Sequence, residues 1–199
     1  NMYSELNHEQ VLDMFFKECE RNGTKYVRTS EADLAKTVIN VINDWGNGKV
    51  IFPKVEQMDR YGIRAAFEAD SSEERSYLEW DAEKGREYNI GNAQDAEIGI
   101  TFPMAGIAET ATVIQPSDAG SGRSISLLPL TNISIVRADT IMPRMTQTME
   151  MLSKLYHENP KDFPSNITHI SGPSNTSDIE LVRVVGVHGP INVTYIVVE

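Results

Sequence analysis

The sequence predicts an α/β fold, a mostly parallel sheet flanked by helices, with a helical part at the N-terminus. Three observations lead there. Apolar runs in the second half, broken by small residues, mostly lack strict alternation, as expected of strands covered on both faces. They occur in strand–helix–strand order. Charge is also unevenly spread: residues 1–100 hold 20 acidic and 12 basic side chains, whereas residues 101–199 hold only 9 and 6. The first half therefore reads as solvated helices and loops, and the second as the buried sheet. With no Pro/Gly/Ser-rich linker and no internal repeat, a single domain is expected, residues 1–29 being its N-terminal helix and 30–199 its α/β body.

The elements follow in order. Val11, Leu12, Phe15, Phe16 and Cys19 recur at helical spacing, and Gly23 offers a left-handed stop. Ser30 is placed to cap a second helix, with Glu31 and Asp33 favouring its positive end. Leu34, Val38, Val41, Ile42 and Trp45 form that helix's apolar face, which Gly46 and Gly48 end. Lys49 to Pro53 is a short strand. Residues 68–87 hold eight acidic and three basic side chains and read as a solvated helix or loop rather than a docking patch for a basic partner. Strands are predicted at Ile98–Phe102, Ala108–Ile114, Ile133–Arg137, Ile167–Ile170, Leu181–Val187 and Val193–Val198. Between them a helix from Pro143 to His157 carries Met145, Met149, Leu152 and Tyr156, read as a core stripe rather than a cofactor box.

Composition excludes several classes of function. A formal charge of −11 disfavours nucleic acid and anionic membrane surfaces, which recruit clustered Lys and Arg. No segment approaches the roughly 18 apolar residues of a membrane span. One cysteine, Cys19, rules out an internal disulfide and an all-cysteine zinc or iron–sulfur site within this chain, and fits a reducing cytoplasm. The N-terminal residues lack a basic stretch followed by an apolar one, so no signal peptide is expected. His8, His157 and His169 have no partners at metal-ligand spacing, and no metal or cofactor is expected.

Three polar constellations remain. The first runs from Gly106 to Thr112, where Glu109 is the only charge between Glu97 and Asp118. A carboxylate in such surroundings must be paired, hydrogen-bonded or protonated. It is a candidate base or ligand acceptor, or equally a structural carboxylate tying a turn to backbone amides. The second, Gly172-Pro173-Ser174-Asn175-Thr176-Ser177-Asp178, follows an apolar strand and reads as a helix start. Its free amides and hydroxyls would attract a carboxylate or phosphate, unless the helix is simply well capped. The third is Gly186-Val187-His188-Gly189-Pro190, which places His188 on a strand-end loop where open α/β sheets gather their sites.

Taken together these residues resemble the LUD-domain family. Ile170 through Glu180, then Gly186 through Pro190, look like its signature, and Ala108 through Thr112 and Arg123 through Ser126-Leu127-Leu128-Pro129 match upstream in order. The resemblance covers roughly residues 30–199. It implies a fold like that of sugar-phosphate isomerases and CoA transferases. It also implies a place in a three-component bacterial system that oxidises L-lactate to pyruvate beside two iron–sulfur electron carriers, this chain being the non-redox member. The alternative is a free-standing enzyme or sensor for a nucleotide, CoA or sugar phosphate held at the 172–178 helix start. On either reading Glu109 and His188 are the acid/base candidates. The ligand, a small organic acid or other anion, would meet Gly106, Thr110, Arg123, Ser126, Gly172, Ser174, Asn175, Thr176, Asp178 and Gly189. Two departures stand out. Ala111 replaces the family's usual Gly, so if the family's turn needs a positive φ there, the turn is expected to differ locally, since a side chain is disfavoured in that region. Asn175 replaces a frequent Arg and removes a bidentate donor.

Overall fold

A capping box starts the first helix. In the computed structural model of the chain, which describes residue 3 and residues 5–177, 183–186 and 189–199, α1 (His8–Asn22) begins where Asn7 and Gln10 exchange amide-to-side-chain bonds of 2.9 Å. It ends at Gly23, whose φ of 83° is the expected left-handed stop. Next come β1 (Lys25–Thr29), α2 (Leu34–Trp45) and β2 (Lys49–Phe52). Short helices α3 (Glu56–Arg60) and α4 (Ile63–Asp70) lead to β3 (Ser76–Glu79), and α5 (Gly85–Asp95) leads to β4 (Ile98–Thr101). The chain then forms β5 (Ala105–Ile107) and β6 (Thr112–Ser117) and passes through α6 (Ser124–Leu127) to β7 (Thr131–Arg137). The remainder is β8 (Ile141–Met142), α7 (Met145–Glu158), β9 (Asn166–Ile170), β10 (Asn175–Ser177), β11 (Arg183–Val185) and β12 (Asn192–Val198).

Six strands make an all-parallel sheet in the order β1-β12-β7-β4-β2-β3. Side chains of successive residues leave opposite faces, so each central strand feeds two cores. Ile133, Ile135, Ile196 and Val198 join Leu34, Val38 and Ile42 of α2, with Met58, Ile63 and Phe67 of α3 and α4, on one face. Val136, Val193, Tyr195 and Val197 join Val11, Leu12, Phe15 and Phe16 of α1 on the other. Burial on both faces is why these strands read as unbroken apolar runs. Strands β8-β5-β6-β9 form a second, mainly antiparallel sheet, and β10 and β11 form a separate antiparallel pair.

Helix α2 starts near where the sequence places it. The Ser30 hydroxyl accepts from the Asp33 amide at 3.2 Å, closing the turn ahead of the first helical residue. At its far end Trp45 donates its indole N–H to Thr194 Oγ1 at 2.9 Å.

Four expectations need correction. The main sheet draws β1 to β4 from the polar first half; β1 and β3 are edge strands, and an edge tolerates charged side chains such as Lys25, Arg28 and Glu79. The β3 strand lies inside the acidic run read as helix or loop. The stretch Ala108–Ile114 is not one strand, because residues 108–110 form a 3₁₀ turn and Ala111 a left-handed one before β6 begins. Finally, the Met stripe is not core. The second sheet is narrow, so α7 buries only Thr148 and Leu152, with Met151 half-buried, and leaves Met145, Met149 and Tyr156 about half exposed.

Arg75 is a buried cation that orders the start of β3. Its guanidinium donates to Asp70 (2.8 Å), Asn43 (2.6 Å), Asn47 (2.7 Å) and the Gly46 carbonyl (3.1 Å). Burial works against the Asp70 charge, but hydrogen bonds from Tyr77 and Arg75 outweigh it and hold the carboxyl below the usual range. Folding therefore gains stability from Asp70 above the ordinary carboxylate pKa of about 3.9, and that gain disappears as pH falls through the lower native value. We expect Asp70→Asn to be less stable than the parent at neutral pH and to lose less on acidification; parallel urea-unfolding curves across pH would contradict this. Cys19 sits wholly inside the α1 core, where burial first and Glu20 and Glu18 next push its thiol up to about 12. Maleimide should therefore leave Cys19 unlabelled in the native protein and label it after denaturation.

Candidate functional site

The sequence-predicted residues fall into two groups at opposite ends of the β6–β9 ladder. That ladder pairs Val113 with Ile170 at one end and Ser117 with Asn166 at the other, roughly 13 Å apart at the usual strand rise. Gly106, Glu109, Thr110, Gly172, Ser174, Asn175 and Gly189 gather towards the first end. Arg123 and Ser126 lie towards the second. Asp178 and His188 lie outside the described residues.

At the first end Glu109 is spoken for. Its carboxylate accepts from Arg144 Nε at 2.8 Å and from the Met145 amide at 3.4 Å, while its own amide bonds the Pro143 carbonyl at 3.1 Å. It thus sits at the positive end of α7, where a negative charge is favoured. The Thr110 hydroxyl lies 2.7 Å from that of Thr112, which lies 2.6 Å from that of Ser171. Gly106 is buried in β5 beside Ile141.

The Tyr195 hydroxyl, wholly buried, binds this end together. It faces the carbonyls of Ile170 at 2.9 Å and Ala111 at 3.1 Å, sharing one proton between them, and accepts from the Gly172 amide at 3.1 Å. Burial pushes its pKa up, so it stays a neutral donor. Below it the ring stacks on Phe15 of α1 with centroids 5.6 Å apart. Ala111, caught by this clasp, has φ 46° and ψ 43°. The left-handed region costs a non-glycine residue about 1–2 kcal/mol. A glycine would give up a buried methyl worth about 0.8 kcal/mol and add about 0.5–1 kcal/mol of backbone entropy. These terms nearly cancel, which is how alanine stands where the family's glycine was expected.

The described part of the 172–178 segment, residues 172–177, forms a turn and a strand where a helix start was expected. Gly172 turns with φ 79°, in a spot where a Cβ would overlap Thr24 Oγ1, and Asn175–Ser177 then pairs with Arg183–Val185. The β-branched residues Thr176, Val184 and Val185 favour that ladder over a helix. The amides expected to hold an anion are used internally: Gly172 bonds Tyr195, and Ser174 bonds the Pro190 carbonyl at 2.8 Å. Asn175 turns its side-chain N–H onto the Pro173 carbonyl at 2.9 Å, and Gly189 packs against Ser174.

The second end opens into a cleft of about 450 Å³ lined by Trp80, Gly85, Arg86, Ser117, Arg123 and Ser124, among others. It lies beyond the carboxyl ends of β2 and β3: the loop after β6 bonds Lys54 through the Gly120 carbonyl at 2.8 Å, and the Trp80 amide bonds the Phe52 carbonyl at 2.8 Å. Trp80 donates its indole N–H to the Ala119 carbonyl at 3.0 Å and lies so close to Gly122 that a Cβ there would enter its ring. Ser126 does not face this cleft with a free hydroxyl; it is buried and donates to the Arg123 carbonyl at 3.0 Å. Arg86 and Trp80 escaped the sequence reading because both fall in the acidic run that looks solvated, and neither carries a spacing that ties it to Arg123.

A fully parallel sheet with an antiparallel companion, carrying the Ala108–Thr112 turn, the Gly172 turn and the Arg123 segment, defines an α/β domain of one family. The sequence model of the LUD domain matches residues 12–198, and the chain belongs to that family. It is 40% identical to lactate utilization protein C of Macrococcus caseolyticus, over 98% of this chain and 80% of that one. With lactate utilization protein C of Bacillus subtilis it shares 38% identity over 96% of this chain and 79% of that one. A solved DUF162 family protein from Deinococcus radiodurans superposes with a TM-score of 0.69 at 25% identity, covering 98% of this chain and 99% of that one. Among the described residues no helix is long and apolar enough to cross a membrane.

Replacing Tyr195 by Phe should keep the ring stack and leave the Gly172 N–H and two carbonyls short of a buried partner, at a cost of about 1–3 kcal/mol. Equilibrium denaturation measures it; an unchanged midpoint would mean the clasp carries no net stability.

Proposed function

We propose that this chain is a component of a bacterial L-lactate utilization system that oxidises L-lactate to pyruvate, acting as a non-redox member beside iron–sulfur partner proteins. The observation that carries this reading is identity of 36–40% with proteins named lactate utilization protein C over nearly the whole chain. The division of labour suits the composition. With Cys19 alone, and that one buried, the chain has no four-thiolate set for a cluster of its own, so electrons would travel on its partners.

In this reading the 105–112 and 170–174 turns form a rigid frame. The Glu109 carboxylate, engaged by Arg144 and the start of α7, supports an organising role for that residue more than proton transfer. His188 is the remaining acid/base candidate, and a small organic acid is the ligand class expected. The surroundings of Cys19 and the composition are consistent with a cytoplasmic setting.

The test is L-lactate-dependent dye reduction by the two iron–sulfur partners, reconstituted with and without this chain. Activity should require the chain. Partners that are fully active alone would remove the reading. Glu109→Gln should keep most of the activity in a folded variant, whereas a folded His188→Ala that loses it would assign the chemistry to that residue.

A further inference from the structure

We propose that the cleft between α5 and the 117–124 loop is a binding site for a phosphate-bearing organic ligand, gripped by Arg86 and Arg123. This goes beyond the lactate reading and does not depend on it.

Charge is the first argument. In a chain of net charge −11, the described arginine side chains are nearly all paired: Arg21 with Glu18, Arg28 with Glu199, Arg60 with Glu31, Arg64 with Asp59, Arg75 with Asp70, Arg137 with Asp139 and Arg144 with Glu109. Arg86 and Arg123 are the exceptions among the described residues, and both line the same cleft. Asp118 also lines it, but one of its carboxylate oxygens is held by the Gly120 and Ser121 amides at 2.8 and 2.9 Å. An anion is what two unpaired guanidinium groups on one cleft would attract.

A buried, unpartnered donor points the same way. Ser117 is only 6% exposed and lines the cleft, yet its Oγ has no hydrogen-bond partner among the described residues. Buried hydroxyls are normally satisfied, so an orphan beside two free arginines marks a place for a ligand atom. The start of α5, at Gly85 and Arg86, also lines the cleft, with the Gly85 amide bonded to the Ala82 carbonyl and Arg86 left to supply the charge there.

The donor count and size select the class. Two guanidinium groups and a hydroxyl exceed what one carboxylate can accept and match the three outer oxygens of a phosphate ester. About 450 Å³ lies within the roughly 300–1,000 Å³ typical of cofactor-sized ligands. The cleft stands beyond the carboxyl ends of parallel strands, where open α/β sheets place their ligands.

Isothermal titration of the full chain with coenzyme A, ATP and inorganic pyrophosphate tests this, with L-lactate and pyruvate as carboxylate comparators. At least one phosphate compound should bind. Arg86→Gln and Arg123→Gln should each weaken it about tenfold or more, as expected for a charged hydrogen bond. Both side chains are exposed, so the variants should fold. Ser117→Ala should lower affinity while leaving the melting temperature of the free protein unchanged or higher, a combination that a structural serine would not give. The proposal is overturned if no phosphate compound binds, if binding is indifferent to both arginines, or if only the carboxylates bind through them.

Discussion

One hydroxyl group holds two sheets in register. Tyr195 belongs to a central strand of the parallel sheet, yet its OH reaches the left-handed turn at Ala111, the end of β9 and the turn at Gly172. All three are buried backbone groups that water cannot serve, so each would be costly if left unpaired. Phe15 supports the ring from α1, so the first helix, the last strand and both turns depend on one another. Such mutual dependence explains why residues in a sparsely populated conformation persist there.

The parts that were legible in the sequence are those where burial writes a period. α1 and α2 show their apolar stripes and stops, and β7 and β12 show the dense runs of strands covered on both faces. The edge strands β1 and β3 were not legible because half their surface meets solvent, so KYVRT and SYLE look like loop or helix. In α7 the 3.6-residue period was real, but a period does not say how much of a stripe the neighbouring layer can cover. The 172–178 segment misled for another reason. Ser, Asn and Thr favour helix caps and turns alike, and for residues 175–177 the partner strand at 183–185 decides between them.

The site was half legible. Glu109 stood out as an isolated charge, and its company of Arg144 and the α7 amide could not be foreseen from local sequence, because the pair meets across two sheet connections. Arg123 was visible through resemblance, whereas Arg86 and Ser117 acquire meaning only when α5 and β6 are brought together. Electrostatics sharpens the contrast. An acidic surface neutralises most arginines close to home, so a cation left without a carboxylate is more informative here than in a basic protein.

The position of β12 has a consequence for how the chain is made. Residues 192–198 lie between β1 (residues 25–29) and β7 (residues 131–137), in parallel register with both. During synthesis β1 has no neighbour, and β7 lacks one of its two, until residues 192–198 have left the ribosome. α1 likewise waits for Tyr195 and Val197 to give it a floor. Until then the nascent chain carries two strand borders open to pairing with the wrong partner, and long-range parallel pairings close slowly. Over the more than 160 residues made between β1 and β12, this protein depends on what its surroundings do with an unfinished sheet.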